Sequence, residues 1–113
     1  MGCNNTASSD NASTILERAL ASGHPTIAEF GRGVCIPCKT MKPILEDIAV
    51  EYKGELNVVI VEVDDNIDLT RKFGIMTIPT QIFFGSNGTE VFRHVGFYPQ
   101  ENIITQLGVM GID

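Results

Sequence analysis

Cys35 and Cys38 are the residues of this chain best equipped to do chemistry. They stand three apart in Gly33-Val34-Cys35-Ile36-Pro37-Cys38-Lys39, so their sulfurs can close a small disulfide ring or stay open as a dithiol. An apolar run, Thr26-Ile27-Ala28-Glu29-Phe30, precedes them, and Thr40 to Ala49 is apolar at helical spacing. The pair is therefore expected where a strand passes into a helix. The unpaired N–H groups and the dipole of a helix N-terminus favour negative charge. Cys35 is expected to ionise more readily than a free cysteine, and the thiolate is the reactive form. Cys38 lies one turn further in, at the spacing needed to attack a mixed disulfide formed at Cys35.

The bulk composition narrows the alternatives. The 113 residues suit one domain with one core. A net charge of -6 argues against a general binder of nucleic acid or of an anionic membrane. Only three cysteines are present, two of them in the pair, which excludes a scaffold stapled by disulfides. No second Cys-x-x-Cys accompanies them, and His24 and His94 are distant in sequence, so no metal site and no cofactor are expected. No apolar run reaches the ~18 residues of a transmembrane helix.

The elements that must position the pair can be read in order. Residues 1–12 are small and polar and are expected to form a flexible tether, leaving 13–113 as the domain. A first helix is expected from a cap at Ser13 or Thr14, with Ile15, Leu16, Ala19 and Leu20 on one face. Thr26–Phe30 reads as a buried strand. The cysteine-bearing helix runs to about Tyr52, kinked at Pro43 because the apolar spacing continues past it. Leu56–Asp64 is a β-branched run that suits a central parallel strand covered on both faces. Asp65–Phe73 reads as a short helix, Gln81–Phe84 as a strand, Ser86-Asn87-Gly88 as a turn and Glu90–Val95 as an antiparallel return. Phe92 points inward on that return, and Arg93 outward. A last helix opens at Pro99 and Gln100.

Residues 25–108 resemble a thioredoxin. The family pattern of strand, aromatic, Cys-x-Pro-Cys-Lys and a proline five residues on is met by Phe30, Cys35, Pro37, Cys38, Lys39 and Pro43. The family's Ile-Pro-Thr, in which the proline is cis, is met by Ile78-Pro79-Thr80, and its later glycine by Gly96. The resemblance implies a thioredoxin fold: an α/β architecture with a central mixed sheet flanked by helices on both faces. The usual first strand has no counterpart in the polar N-terminus, so four strands are expected. There are further departures. The tryptophan usual before the first cysteine is Val34, the dipeptide between the cysteines is Ile36-Pro37, and the family's buried aspartate becomes Glu29. The lysine that commonly accompanies that aspartate aligns with Ile60.

The implied activity is thiol–disulfide exchange: Cys35 attacks, Cys38 resolves, and no cofactor takes part. Glu29, on the strand beneath Cys38, is expected to have a pKa raised by desolvation alone and to accept the Cys38 proton. A cis Pro79 would set the Ile78 backbone beside the sulfurs, where an extended substrate segment can pair with it. Val34, Ile36, Pro37, Ile78, Gly96 and Phe97 are the candidate substrate-binding residues. The expected partners are disulfide-containing proteins and an upstream reductase, either like thioredoxin reductase or a membrane thiol transporter. Strongly oxidising relatives carry a histidine beside the second cysteine. Pro37 supplies no such charge, which favours a reductase over the alternatives, an oxidase or isomerase or a non-enzymatic interaction module. Gly2-Cys3 before an Asn/Ser-rich tract resembles the mature start of a bacterial lipoprotein, and Phe83–Phe97 is similar to envelope reducing domains. An extracytoplasmic, lipid-anchored protein is the resulting expectation. Myristoylation at Gly2, an incidental thiol at Cys3 and a cytoplasmic protein are the alternatives.

Overall fold

A computed structural model describes residues 11–112. The helices are α1 (Ala12–Leu20), α2 (Ile36–Glu51), α3 (Ile67–Lys72) and α4 (Gln100–Val109), and the strands are β1 (Thr26–Gly31), β2 (Asn57–Glu62), β3 (Thr80–Phe84) and β4 (Glu90–Val95). A 3-10 turn, Val63–Asp65, links β2 to α3. The four strands form one mixed sheet in the order β2-β1-β3-β4, parallel between β1 and β2 and antiparallel elsewhere.

Alternation along the strands divides the core between the two faces of the sheet. On one face Ile27 and Phe83 pack with Met41, Leu45 and Ile48 of α2 and with Ile103 and Leu107 of α4. On the other, Ala28, Phe30, Ile82 and Phe84 pack with Leu16 and Ala19 of α1 and Leu69 of α3. Each fully buried phenylalanine or leucine stabilises the fold by about 1.5–3 kcal/mol relative to exposure. Pro43 lies inside α2 without ending it, because Met41, Leu45 and Ile48 hold that helix on the sheet from both sides of the proline.

Two expectations are corrected. The strand β2 is an edge and not a centre: β1 is buried along its whole length, while β2 pairs on one side only, and Ile60 is 44% exposed. The β-branched run reflects cover by α1 on one face and α2 on the other, which says nothing about how many strands flank it. The first helix begins earlier than expected, at Ala12, because the Asn11 side chain caps it by accepting the Thr14 N–H at 3.0 Å. The tether expected over 1–12 lies, apart from Asn11 and Ala12, outside the described residues, as does Cys3.

Candidate active site

Strand register gathers the chemistry at one end of the sheet. Gly31 ends β1 opposite Glu62 of β2, Phe30 faces Thr80 at the start of β3, and Thr80 faces Val95 at the end of β4. The loop carrying the cysteines, the Ile78–Pro79 segment and Gly96 therefore converge there. The Ile78–Pro79 peptide bond is cis. Gly96 adopts a φ of +99°, a left-handed conformation that a side chain would strain, and its N–H donates to the Pro79 carbonyl at 2.7 Å.

Cys35 and Cys38 are joined as a disulfide with their Cα atoms 5.2 Å apart. Cys35 is the N-cap of α2, and its sulfur accepts the Cys38 backbone N–H at 3.3 Å. That sulfur takes the position where a helix N-terminus presents its unpaired donors. Cys38 is buried, at 9% exposure, and its sulfur accepts the Arg32 N–H at 3.5 Å. Gly31 is needed here, since a Cβ on it would sit 3.0 Å from the Cys38 sulfur. Two braces hold the loop on the end of β2. Arg32 makes a two-pronged salt bridge to Asp64, and Glu62 accepts the Gly33 N–H at 3.0 Å.

Beneath Cys38 a cavity of about 280 Å³ opens, walled by Glu29, Gly31, Cys38, Lys42, Ile60 and Val61. Glu29 is 3% exposed. Burial pushes its carboxyl from an ordinary 4.5 up to about 7, opposed by the hydrogen bond it accepts from Gln81. Desolvation therefore does not act alone. No cation contributes to the shift, although Lys39 and Lys42 line the same cavity, and the position opposite Glu29 on β2 is Ile60.

The remaining residues expected at the site divide by exposure. Pro79 is buried and Ile78 and Gly96 are half-buried, while Val34, Ile36, Pro37 and Phe97 are exposed. Sequence reasoning missed Met76, 93% exposed on the loop leading to Pro79, and Gln81, fully buried in β3. A glutamine inside the apolar run Ile82-Phe83-Phe84 was the available signal for Gln81. Among the described residues no group of three His, Cys, Asp or Glu side chains could hold a metal ion.

A cysteine pair closed as a disulfide at a helix N-terminus, a cis-proline segment at the same end of the sheet and a buried carboxyl lining the cavity below suit thiol–disulfide exchange. The family model described as Thioredoxin matches residues 7–108. The thioredoxin of Alicyclobacillus acidocaldarius is 35% identical over 91 residues, covering 80% of this chain and 86% of that protein. The thioredoxin of Staphylococcus saprophyticus is 40% identical over 77 residues, covering 68% and 73% respectively. A mutant thioredoxin from Halobacterium salinarum superposes with a TM-score of 0.77 at 23% identity, over 84% of this chain and 81% of that one, and so shares the fold. The chain belongs to the thioredoxin family and has the thioredoxin fold. It is a thiol–disulfide oxidoreductase, an enzyme with protein-disulfide reductase activity, acting on disulfide-containing proteins and drawing electrons from a reductase.

Proposed function

We propose that this protein reduces substrate disulfides through the Cys35-Ile36-Pro37-Cys38 dithiol, with Glu29 as the proton acceptor for Cys38. The observation that carries the reading is the contrast between the two sulfurs. One caps α2 and is partly open to solvent, while the other is buried over a cavity it shares with a carboxyl pushed by burial up to about 7.

The Cys35 thiolate attacks one sulfur of the substrate disulfide. A Cys35–substrate disulfide forms, and the other substrate sulfur leaves as a thiolate. Ionised Glu29 takes the proton of Cys38, whose thiolate attacks the Cys35 sulfur. The Cys35–Cys38 disulfide forms and the second substrate thiolate leaves. Two electrons have passed to the substrate, and a thioredoxin reductase-like enzyme or a membrane thiol transporter returns them. Exposed Val34, Ile36, Met76 and Phe97 offer apolar contact to an unfolded or extended segment, and the Ile78 backbone offers it strand pairing. Pro37 brings no positive charge to the first turn of α2, which favours reduction over net oxidation.

With dithiothreitol as electron donor, the protein is expected to accelerate insulin reduction, read as turbidity from the released B chain. A rate no faster than dithiothreitol alone contradicts the reading. An envelope location with lipid on Cys3 is part of the same proposal, supported by the Gly2-Cys3-Asn4-Asn5 sequence. Mass spectrometry of protein purified from its own cells is expected to find acyl chains on Cys3, and an unmodified thiol there contradicts that location.

A further inference from the structure

Glu29 belongs to a row of side chains that crosses the whole sheet at one level. Ile60 of β2 is opposite Glu29 of β1, Glu29 is opposite Gln81 of β3, and Gln81 is opposite His94 of β4. Partners in register share a face of the sheet, so this row lies on the side covered by α2.

Gln81 is fully buried, and its amide nitrogen makes two hydrogen bonds. One goes to Glu29 Oε1 at 2.9 Å and the other to the Gly96 carbonyl at 3.1 Å. Both partners are acceptors, so this end of the amide must be the nitrogen, and both of its hydrogens are spent. Two buried oxygens then remain without a partner, Glu29 Oε2 and Gln81 Oε1. The group has acceptors to spare and no donor left. A proton arriving on Glu29 supplies the missing donor, which suits a carboxyl that receives a proton and gives it back.

We propose that Gln81 is a positioning residue of the exchange reaction: its amide holds the Glu29 carboxyl below Cys38 and ties it to the Gly96 carbonyl, on the strand end bonded to Pro79. The proposal rests on Glu29 being the proton acceptor for Cys38. The geometry links two parts of the site that are far apart in sequence. Gly96 donates to the Pro79 carbonyl at 2.7 Å, so the chain Pro79–Gly96–Gln81–Glu29 runs from the substrate edge to the proton acceptor. Gln81 reaches neither sulfur in this chain of bonds. It acts through Glu29.

The charged and titratable groups around Glu29 are Lys39 and Lys42 from α2, Arg32 from the loop before it, Glu62 from β2 and His94 beyond Gln81. Cys38 closes the cavity from above. Among the described residues only Gln81 bonds directly to the carboxyl, and that bond favours the ionised form, the direction opposite to burial.

Two readouts on the full-length protein test this. The first is a carbon-13 NMR titration of the Glu29 carboxyl in wild type, Gln81→Met and Gln81→Leu. The second is the pH profile of the resolving step in the same proteins, with the attack by Cys35 as an internal control. Loss of one hydrogen bond to a charged group is expected to move the Glu29 midpoint up by about one unit. The resolving step is expected to shift with it and the attack to stay unchanged. A midpoint that stays at the wild-type value overturns the role of Gln81. A midpoint that moves while the resolving profile does not shows that Glu29 is not the acceptor, and the proposal falls with that reading. Should both variants fail to fold, the side-chain amide signals of Gln81 in wild type are expected to titrate in step with Glu29, and signals that stay constant across that range overturn the proposal.

Discussion

A Cys38→Ser variant is expected to stop after half a reaction, held to its substrate by a disulfide on Cys35. The half-buried sulfur at the N-terminus of α2 can still attack, because its capping interaction with the helix backbone does not need the second thiol. Resolution cannot follow, since a serine hydroxyl does not displace a thiolate from a disulfide. Catalysed turnover in the insulin assay is expected to vanish, leaving only the dithiothreitol background. Non-reducing electrophoresis and peptide mapping are expected to find a one-to-one adduct through Cys35. The converse variant, Cys35→Ser, is expected to give no comparable adduct, because Cys38 is 9% exposed and covered by Gly31 and Arg32. An adduct through Cys38 would invert the assignment of the two thiols.

A Glu29→Gln variant is expected to be slower in one step and more stable above neutral pH. General-base assistance typically contributes ~10²-fold or more, so resolution near pH 7 is expected to slow by about that factor. The stability change follows from the same carboxyl. It holds its proton to about 7 in the folded protein against 4.5 ordinarily, so between those values the unfolded chain releases a proton that the fold retains. Stability is therefore lost as pH rises through that window and is not regained above it. The loss is on the order of 3 kcal/mol, taking 1.36 kcal/mol for each pH unit separating the two states. Urea unfolding at pH 8 is expected to show the variant more stable than wild type by up to that amount, with near parity at pH 4. Equal stability at both pH values would mean that the fold holds the ionised carboxyl as well as water does, against a midpoint raised to about 7.

Much of this site was legible in the sequence because its signals are local. Cys35 and Cys38 are three apart, and the change from an apolar run to helical spacing around them fixes where a strand gives way to a helix. Ile78-Pro79-Thr80 is equally compact. Glu29 stood out as one acid in an apolar strand, a position that has to be buried on either face of a central strand. What depends on register was not legible. Gln81 meets Glu29 across 52 residues of chain, and only the pairing of β1 with β3 brings them together. The edge position of β2 is hidden for a related reason, since its β-branched residues record the helices above and below it and not the strands beside it. Residue type alone does not single out the cap at Asn11, because Ser13 and Thr14 are capping types too and stand nearby. Met76 shows that hydropathy alone does not predict burial: an apolar side chain on the loop leading to Pro79 lies 93% exposed.

In the proposed mechanism the two sulfurs act in sequence and Glu29 governs the second step alone. Stopped-flow single-turnover reduction of a disulfide substrate, followed from pH 6 to 9 in wild type and Glu29→Gln, tests it most directly. In wild type the resolving step is expected to accelerate as pH rises through the Glu29 titration at about 7 and then to level off. In Glu29→Gln that bend is expected to disappear and resolution to lag, while attack by Cys35 keeps its wild-type rate and profile. Two steps that keep the wild-type rates and pH profiles in the variant would make Glu29 a structural residue and give the Cys38 proton another route out.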